Sequence, residues 1–238
     1  MTPAFVTVAY GTQLVSAEVR WAARKTLDIT ITPDGAVVVT APIDADLLQI
    51  RSQIRARARW ILEQQRYFAQ FRPRTPARRW LPDETHRYLG RQYRLRIADT
   101  TATEPHVRPT RGFLLIDGID FDDSAGMERV VQSWYRARAR EIIDQRLPVC
   151  AELFDPPLWP TAVTVRSMSS RWASMSPSGR LTVNPDLIRA PTDAIDYVLA
   201  HELAHLLVPD HSARFIALLT RVMPDHPRRK QRLERATA

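Results

Sequence analysis

From Ile195 to Leu207 the chain runs Ile-Asp-Tyr-Val-Leu-Ala-His-Glu-Leu-Ala-His-Leu-Leu, an apolar-rich segment with His201, Glu202 and His205 in its midst. Pro191 and Thr192 stand ahead of it as start signals, with Thr192 as the expected cap, so it reads as a helix. A charged Glu202 among Leu199, Leu203, Leu206 and Leu207 needs a partner wherever this helix is buried. A chain that folds around such a helix must build a sizeable core. Its 238 residues, 45% hydrophobic and 25% charged, are enough for one or two domains. Those values exclude a wholly disordered chain. Cys150 is the only cysteine, which excludes an intramolecular disulfide and argues against a cysteine-based zinc site.

The spacing inside the segment is chemical. Residues i and i+4 lie about 40° apart around a helix and one turn apart along it, so both imidazoles can reach one metal ion. Glu202 points about 100° away from His201. It flanks such an ion without ligating it, as a general base acting on water would. The competing reading is two buried helix histidines hydrogen-bonded by Glu202. A catalytic zinc (Zn2+) also needs a third protein ligand and an open position. His211, at the mouth of a second helix expected from Ser212 to about Val222, is the first choice; His226 and Asp225 are the fallbacks. His86 and His106 fall in expected loops or hairpins and are read as surface residues.

Elsewhere the hydrophobic period changes along the chain. Phe5–Tyr10 and Leu14–Trp21 flank Gly11, and Leu27–Thr32 alternates with period two before a turn at Pro33-Asp34-Gly35 and a β-branched run, Ala36–Ala41. Three- and four-residue spacing from Asp44 predicts an amphipathic helix to about Phe71, ended by an Arg72–Pro76 linker. A hairpin is expected around Gly90 and a short strand at Gly112–Ile116. A second long helix runs from Met127 to about Leu153, with Pro148 as a break or kink near its end. Ala162–Val165 is β-like, with Arg180–Val183 as its possible partner. No internal repeat is visible. The expected regions are 1–75 (β-hairpins plus an Arg-rich helix), 76–124 (a β-hairpin region) and 125–238 (catalytic).

The net charge of +8 is concentrated. Between Arg51 and Arg79 nine arginines face one acid, Glu63, so this stretch permits a nucleic-acid or acidic partner through phosphate or carboxylate contacts. A solvated helix face is the plainer reading. No apolar run approaches a membrane span, and Met1–Arg20 does not read as a signal peptide, so a cytoplasmic protein without membrane contact is expected.

Arg171-Trp172-Ala173-Ser174-Met175, Gly179, Leu181–Leu187 with Asn184, Tyr197-Val198, His201-Glu202-Leu203, His205, Asp210-His211-Ser212, Phe215 and Pro224 together resemble the YgjP-like metallopeptidase family, a relative of SprT-like and WLM proteins. Arg24, the alternating strand, Asp34-Gly35, Val37–Pro42, Trp60-Ile61 and Tyr88-Leu89-Gly90-Arg91-Gln92-Tyr93 extend the similarity to roughly residues 20–235. The chain departs from the family at Ala173, Met175 and Ile216, where Gly, Cys and Trp are usual; the ligand positions are untouched.

The resemblance implies zinc on His201, His205 and His211, Glu202 as catalytic acid/base, and a peptide or protein substrate. It also implies that the Arg171–Ser174 turn and the Leu181–Asn184 strand border the cleft. Ser174 and Asn184 are therefore substrate-binding candidates, Asn184 having a cap before Pro185 as its alternative. Arg171 is a candidate for oxyanion stabilisation, or else a structural ion pair. Tyr197, one turn before His201, is a candidate hydrogen-bond donor to substrate, or else packing. Cys150 reads as a buried small hydrophobe.

The expected fold is α+β: an N-terminal β-rich region with a long helix, then a zincin-like region with the HExxH helix and a small antiparallel sheet. The expected function is a zinc metallopeptidase, with a strand near Leu181–Asn184 holding substrate by backbone pairing. The rival is a nucleic-acid- or protein-binding module with a structural zinc site and an Arg-rich docking helix.

Overall fold

Period-two alternation sorts the side chains of the first forty residues onto two faces of a sheet. Strands β1 (Ala4–Tyr10), β2 (Gln13–Ala22), β3 (Asp28–Ile31) and β4 (Val37–Pro42) lie in the order β1-β2-β4-β3. Two antiparallel hairpins are joined through a parallel β2–β4 pair. Val6, Val8, Val15, Val19, Val37 and Val39 are buried in one cluster with Ile50, Ile54, Ala58 and Ile61 of the following helices. Those are α1 (Leu47–Ala56) and α2 (Ala58–Ala69). The single long helix expected here is interrupted at Arg57, at φ −104° and ψ 7°. The Arg57 N–H still donates to Gln53 O and the Ile61 N–H to Arg57 O, so the apolar stripe continues through the break.

The computed structural model describes residues 4–32, 34–69, 78–99, 101–168 and 171–237; the expected Arg72–Pro76 linker lies outside them. The chain divides between Thr75 and Pro76 into two units. One hydrophobic cluster, from Trp80 to Ala236, serves the second unit.

The second unit opens with β5 (Thr85–Tyr88), β6 (Arg91–Asp99), β7 (His106–Thr110) and β8 (Phe113–Asp117) in the order β5-β6-β8-β7, again with a parallel central pair, β6–β8. The strand order of the first unit is thus repeated, although no repeat shows in the sequence. Strand β7 was not expected. Its Pro109 argues against a central strand, but β7 is an edge, where a missing N–H is tolerated. His86 is buried, at 2% exposure, because β5 turns it inward; the expectation of a surface residue fails there. His106 is exposed and meets Asp117 at 3.0 Å.

Helix α3 (Ser124–Ala151) begins at Asp123, whose carboxylate accepts the Gly126 N–H at 2.7 Å. It runs past Pro148 to Ala151, so no break occurs there. Strands β9 (Ala162–Val165), β10 (Ala173–Met175) and β11 (Arg180–Val183) form a three-stranded sheet in the order β10-β11-β9. The expected antiparallel sheet is instead mixed, because the chain passes from β9 to the far edge and returns between, making β9–β11 parallel.

Three helices complete the chain: α4 (Thr192–Ala204), α5 (Ala213–Val222) and α6 (His226–Thr237). Helix α4 is capped at Pro191 rather than Thr192 and ends before Leu207. Helix α6, which carries Arg228, Arg229, Lys230, Arg232 and Arg235, was not anticipated; Leu233 and Ala236 are what it buries.

Two contacts fix α4. The β5–β6 turn docks on the chain just before it, with the Leu89 N–H donating to Ile188 O at 2.9 Å and the Gly90 N–H to Arg189 O at 3.1 Å. Gly90 has φ +77°, and a Cβ there would stand 2.7 Å from Pro191 Cγ. On the helix itself, Asp196 is buried and takes a two-pronged hydrogen bond from Arg146 of α3, 2.7 Å on each oxygen. Arg229 of α6 approaches the same carboxylate at 3.8 Å and also pairs with Asp225.

Candidate active site

Helix α4 stops just where its histidines are presented. The His205 N–H donates to Glu202 O and the Leu206 N–H to Leu203 O, the tightened three-residue pattern of a terminating turn. Pro209 follows, and the chain turns back to bring His211 over the helix end, ahead of α5. His201 Nε2 and His211 Nε2 are 3.0 Å apart. His205 Nδ1 lies 3.1 Å from Val208 O, which makes it the protonated nitrogen and leaves Nε2 as the donor atom. One ligand atom from each ring falls within 4.8 Å of the others. Ligands on tetrahedral zinc at about 2.05 Å stand roughly 3.3 Å apart, so the triad fits zinc. His226 and Asp225 are not in this group.

Burial, then the neighbouring imidazoles of His205 and His211, pushes His201 down to about 3. Burial, then His205, also lowers His211. Both rings are therefore neutral near pH 7, with lone pairs free for a metal. The ring of Phe215, fully buried on α5, meets all three imidazoles: His205 at 4.6 Å between centroids, His201 at 4.9 Å and His211 at 4.9 Å. The sequence places Phe215 in the motif of the family resemblance but gives it no contact with the histidines.

Glu202 is 8% exposed and lines the same cleft as the triad, a cavity of about 630 Å³. Burial raises its carboxyl to about 7, against the lowering effects of a hydrogen bond from the Met175 backbone N–H and of the nearby Arg171. Arg171 and Ser174 line the cleft. Arg171 is exposed and makes no ion pair among the described residues. Tyr197 is buried against the His201 ring, at 5.8 Å between centroids, and is not in the cleft wall. Asn184 is also buried outside that wall: its amide donates to Met168 O at 2.8 Å and Arg171 O at 3.2 Å, and its oxygen accepts the Asp186 N–H. These bonds tie the loop before β10 to the end of β11. Cys150 is buried, and burial raises its thiol to about 12.

Strand β11 is paired on both sides and has no free edge for a peptide. The edges of the sheet are β9 and β10, and of these β10 lines the cleft. The Ser176 N–H donates to Arg180 O and the Asn184 N–H to Trp172 O, so residues 172, 174 and 176 bond to β11. By alternation, Ala173 and Met175 turn their backbone groups outward, where Met175 meets Glu202.

An α+β fold carrying three convergent imidazoles and a buried carboxylate in one open cleft defines a candidate metalloprotein. Residues 25–236 match the family model described as YgjP-like, metallopeptidase domain. The chain belongs to the YgjP-like metallopeptidase family, whose members are hydrolases. No curated protein matches it. Among solved structures it is similar to the metallopeptidase zymogen of Pyrococcus abyssi, abylysin, with 22% identity, 40% of this chain and 87% of that chain covered, and a TM-score of 0.32. Among the described residues no helix is long and apolar enough to cross a membrane.

Proposed function

We propose that this chain is a zinc-dependent peptidase with a zincin-like site, in which His201, His205 and His211 hold the metal and Glu202 is the general base and acid. The observation that carries the reading is the convergence of three imidazole rings beside a buried carboxylate in one cleft. Zinc, when bound, supplies Lewis-acid polarisation of a scissile carbonyl and of the water that attacks it.

Glu202, raised towards 7 by burial, is matched to moving a proton both ways near neutral pH. Its carboxylate oxygen takes a proton from the attacking water and returns it to the departing amine nitrogen. Arg171 offsets the negative charge that develops on the carbonyl oxygen. The outward backbone of Ala173 holds an extended substrate by strand pairing, and Ser174 borders the same path; such backbone recognition gives weak sequence preference. Tyr197 and Asn184 act as positioning residues, the first against the His201 ring and the second on the loop bearing Arg171.

A structural zinc site is closed by four protein ligands. The group here has three members among the described residues and opens to a cleft, which favours catalysis over the binding-module reading. Elemental analysis of the purified chain tests the ligand set. About one zinc per chain is expected, much reduced in His211→Ala; full retention in that variant would overturn the third ligand.

A further inference from the structure

Within the first unit, β1 and α1 enclose a groove of about 390 Å³ whose walls include Thr7 and Ala9 on the strand and Leu48, Arg51, Ser52 and Arg55 on the helix. Strand β1 is the edge of its sheet. The hairpin closes through a two-residue turn, with Tyr10 opposite Gln13 as its last pair. Such turns close on a hydrogen-bonded pair, and bonding alternates from there. Tyr10, Val8 and Val6 thus bond to β2, while Ala9, Thr7 and Phe5 turn their N–H and C=O groups to the free edge. None of these outward groups has a backbone partner elsewhere among the described residues. An unpaired edge of this kind is a template for strand addition.

The helix wall adds a charge preference. Helix α1 contains no acidic residue, and Arg51 and Arg55 are exposed with no ion pair among the described residues. Arg59 of α2, by contrast, is held by Glu63 at 3.0 Å. Arg51 and Arg55 are four residues apart, about 6 Å along the axis. Alternate residues of an extended peptide are about 6.6 Å apart. Acidic side chains at every second position therefore match the two guanidinium groups, and Leu48, 74% exposed, offers apolar contact beside them.

We propose that the groove between the free edge of β1 and helix α1 docks an extended acidic peptide, which joins the sheet as a fifth strand. A nucleic acid would satisfy the arginines but leave the N–H and C=O row unpaired, so the edge selects a peptide.

Fluorescence anisotropy on the full chain tests this, with a labelled peptide of alternating Glu and Val as the probe. The wild type is expected to bind it, and Arg51→Glu/Arg55→Glu to bind about tenfold or more weakly. Thr7→Pro deletes one outward N–H while leaving the bonds of Val6 and Val8 to β2, and is expected to weaken binding by a similar factor. A backbone N-methylated version of the peptide should not compete; this control carries the test if Thr7→Pro does not fold by circular dichroism. Absence of binding, binding indifferent to Thr7→Pro or to N-methylation, or equal competition by an oligothymidylate of the same charge would each overturn the proposal.

Discussion

His205 lies on the face of Phe215, with ring centroids 4.6 Å apart and planes inclined by 28°. Because the same ring also meets His201 and His211, one buried side chain of α5 is the common floor of all three imidazoles. His201 comes from α4, His205 caps its end, and His211 comes from the turn before α5. The packing of α5 beneath the end of α4 therefore sets where the third ring stands.

Phe215→Leu keeps an apolar side chain but removes the flat surface that orients the rings. Zinc affinity is expected to fall about tenfold, the scale on which outer residues tune a metal site. Competition with a chromophoric chelator measures it, and unchanged affinity would show that the floor does not orient the ligands.

The Arg146–Asp196 pair anchors α4 to α3 out of solvent, with the carboxylate side chain 10% exposed and the guanidinium 29%. Asp196→Asn leaves Arg146 and the nearby Arg229 without their shared charge partner. A loss of about 2–3 kcal/mol in urea denaturation is expected. A loss below about 0.5 kcal/mol would place the pair among surface salt bridges.

Gly90 and Gly112 form a matched comparison. Both have positive φ, +77° and +88°, but a Cβ at Gly90 meets Pro191 Cγ at 2.7 Å while one at Gly112 meets nothing within 4 Å. Gly112→Ala is expected to cost about 1 kcal/mol from backbone conformation alone. Gly90→Ala is expected to cost roughly 2–4 kcal/mol, since it also pushes on the residue that starts α4. Equal losses in the two variants would contradict the close approach.

His86 makes stability depend on pH. Burial first, then Arg78, pushes its imidazole down to about 4, although Glu84 stands 3.3 Å away. The folded state keeps the ring neutral, whereas the unfolded ring titrates near 6.5. The unfolded state therefore binds more protons between those values. This contribution is fully present above about pH 6.5 and is lost as pH falls towards 4, by at most about 3 kcal/mol. Denaturation near pH 7.5 and near pH 4.5 should show a smaller difference in His86→Gln than in the wild type.

The placements best read in advance were those carried by local spacing. Four-residue separation places His201 and His205 on one helix face, and the Ser212 helix start left His211 at its mouth. The hairpins around Gly11, Gly35 and Gly90 were equally visible, because alternation and turn residues are local signals. What escaped needed partners far along the chain. Asp196 drew no reading from the sequence, because its partners Arg146 and Arg229 lie far from it along the chain. Phe215 stood in the resemblance motif, but its contact with all three rings depends on how α5 packs. The mixed sheets and the repeated strand order depend on parallel pairs that no sequence period records, and His86 was misplaced because its burial is imposed by Trp80 and the neighbouring strands.

The account turns on Glu202 moving the proton while the histidines hold the metal. The most direct measurement is peptidase activity on an unfolded protein such as casein, comparing wild type and Glu202→Gln at equal measured zinc content. The account predicts zinc-dependent cleavage by the wild type and a fall of at least about a hundredfold in the variant. Comparable cleavage by the two proteins at equal zinc would contradict it.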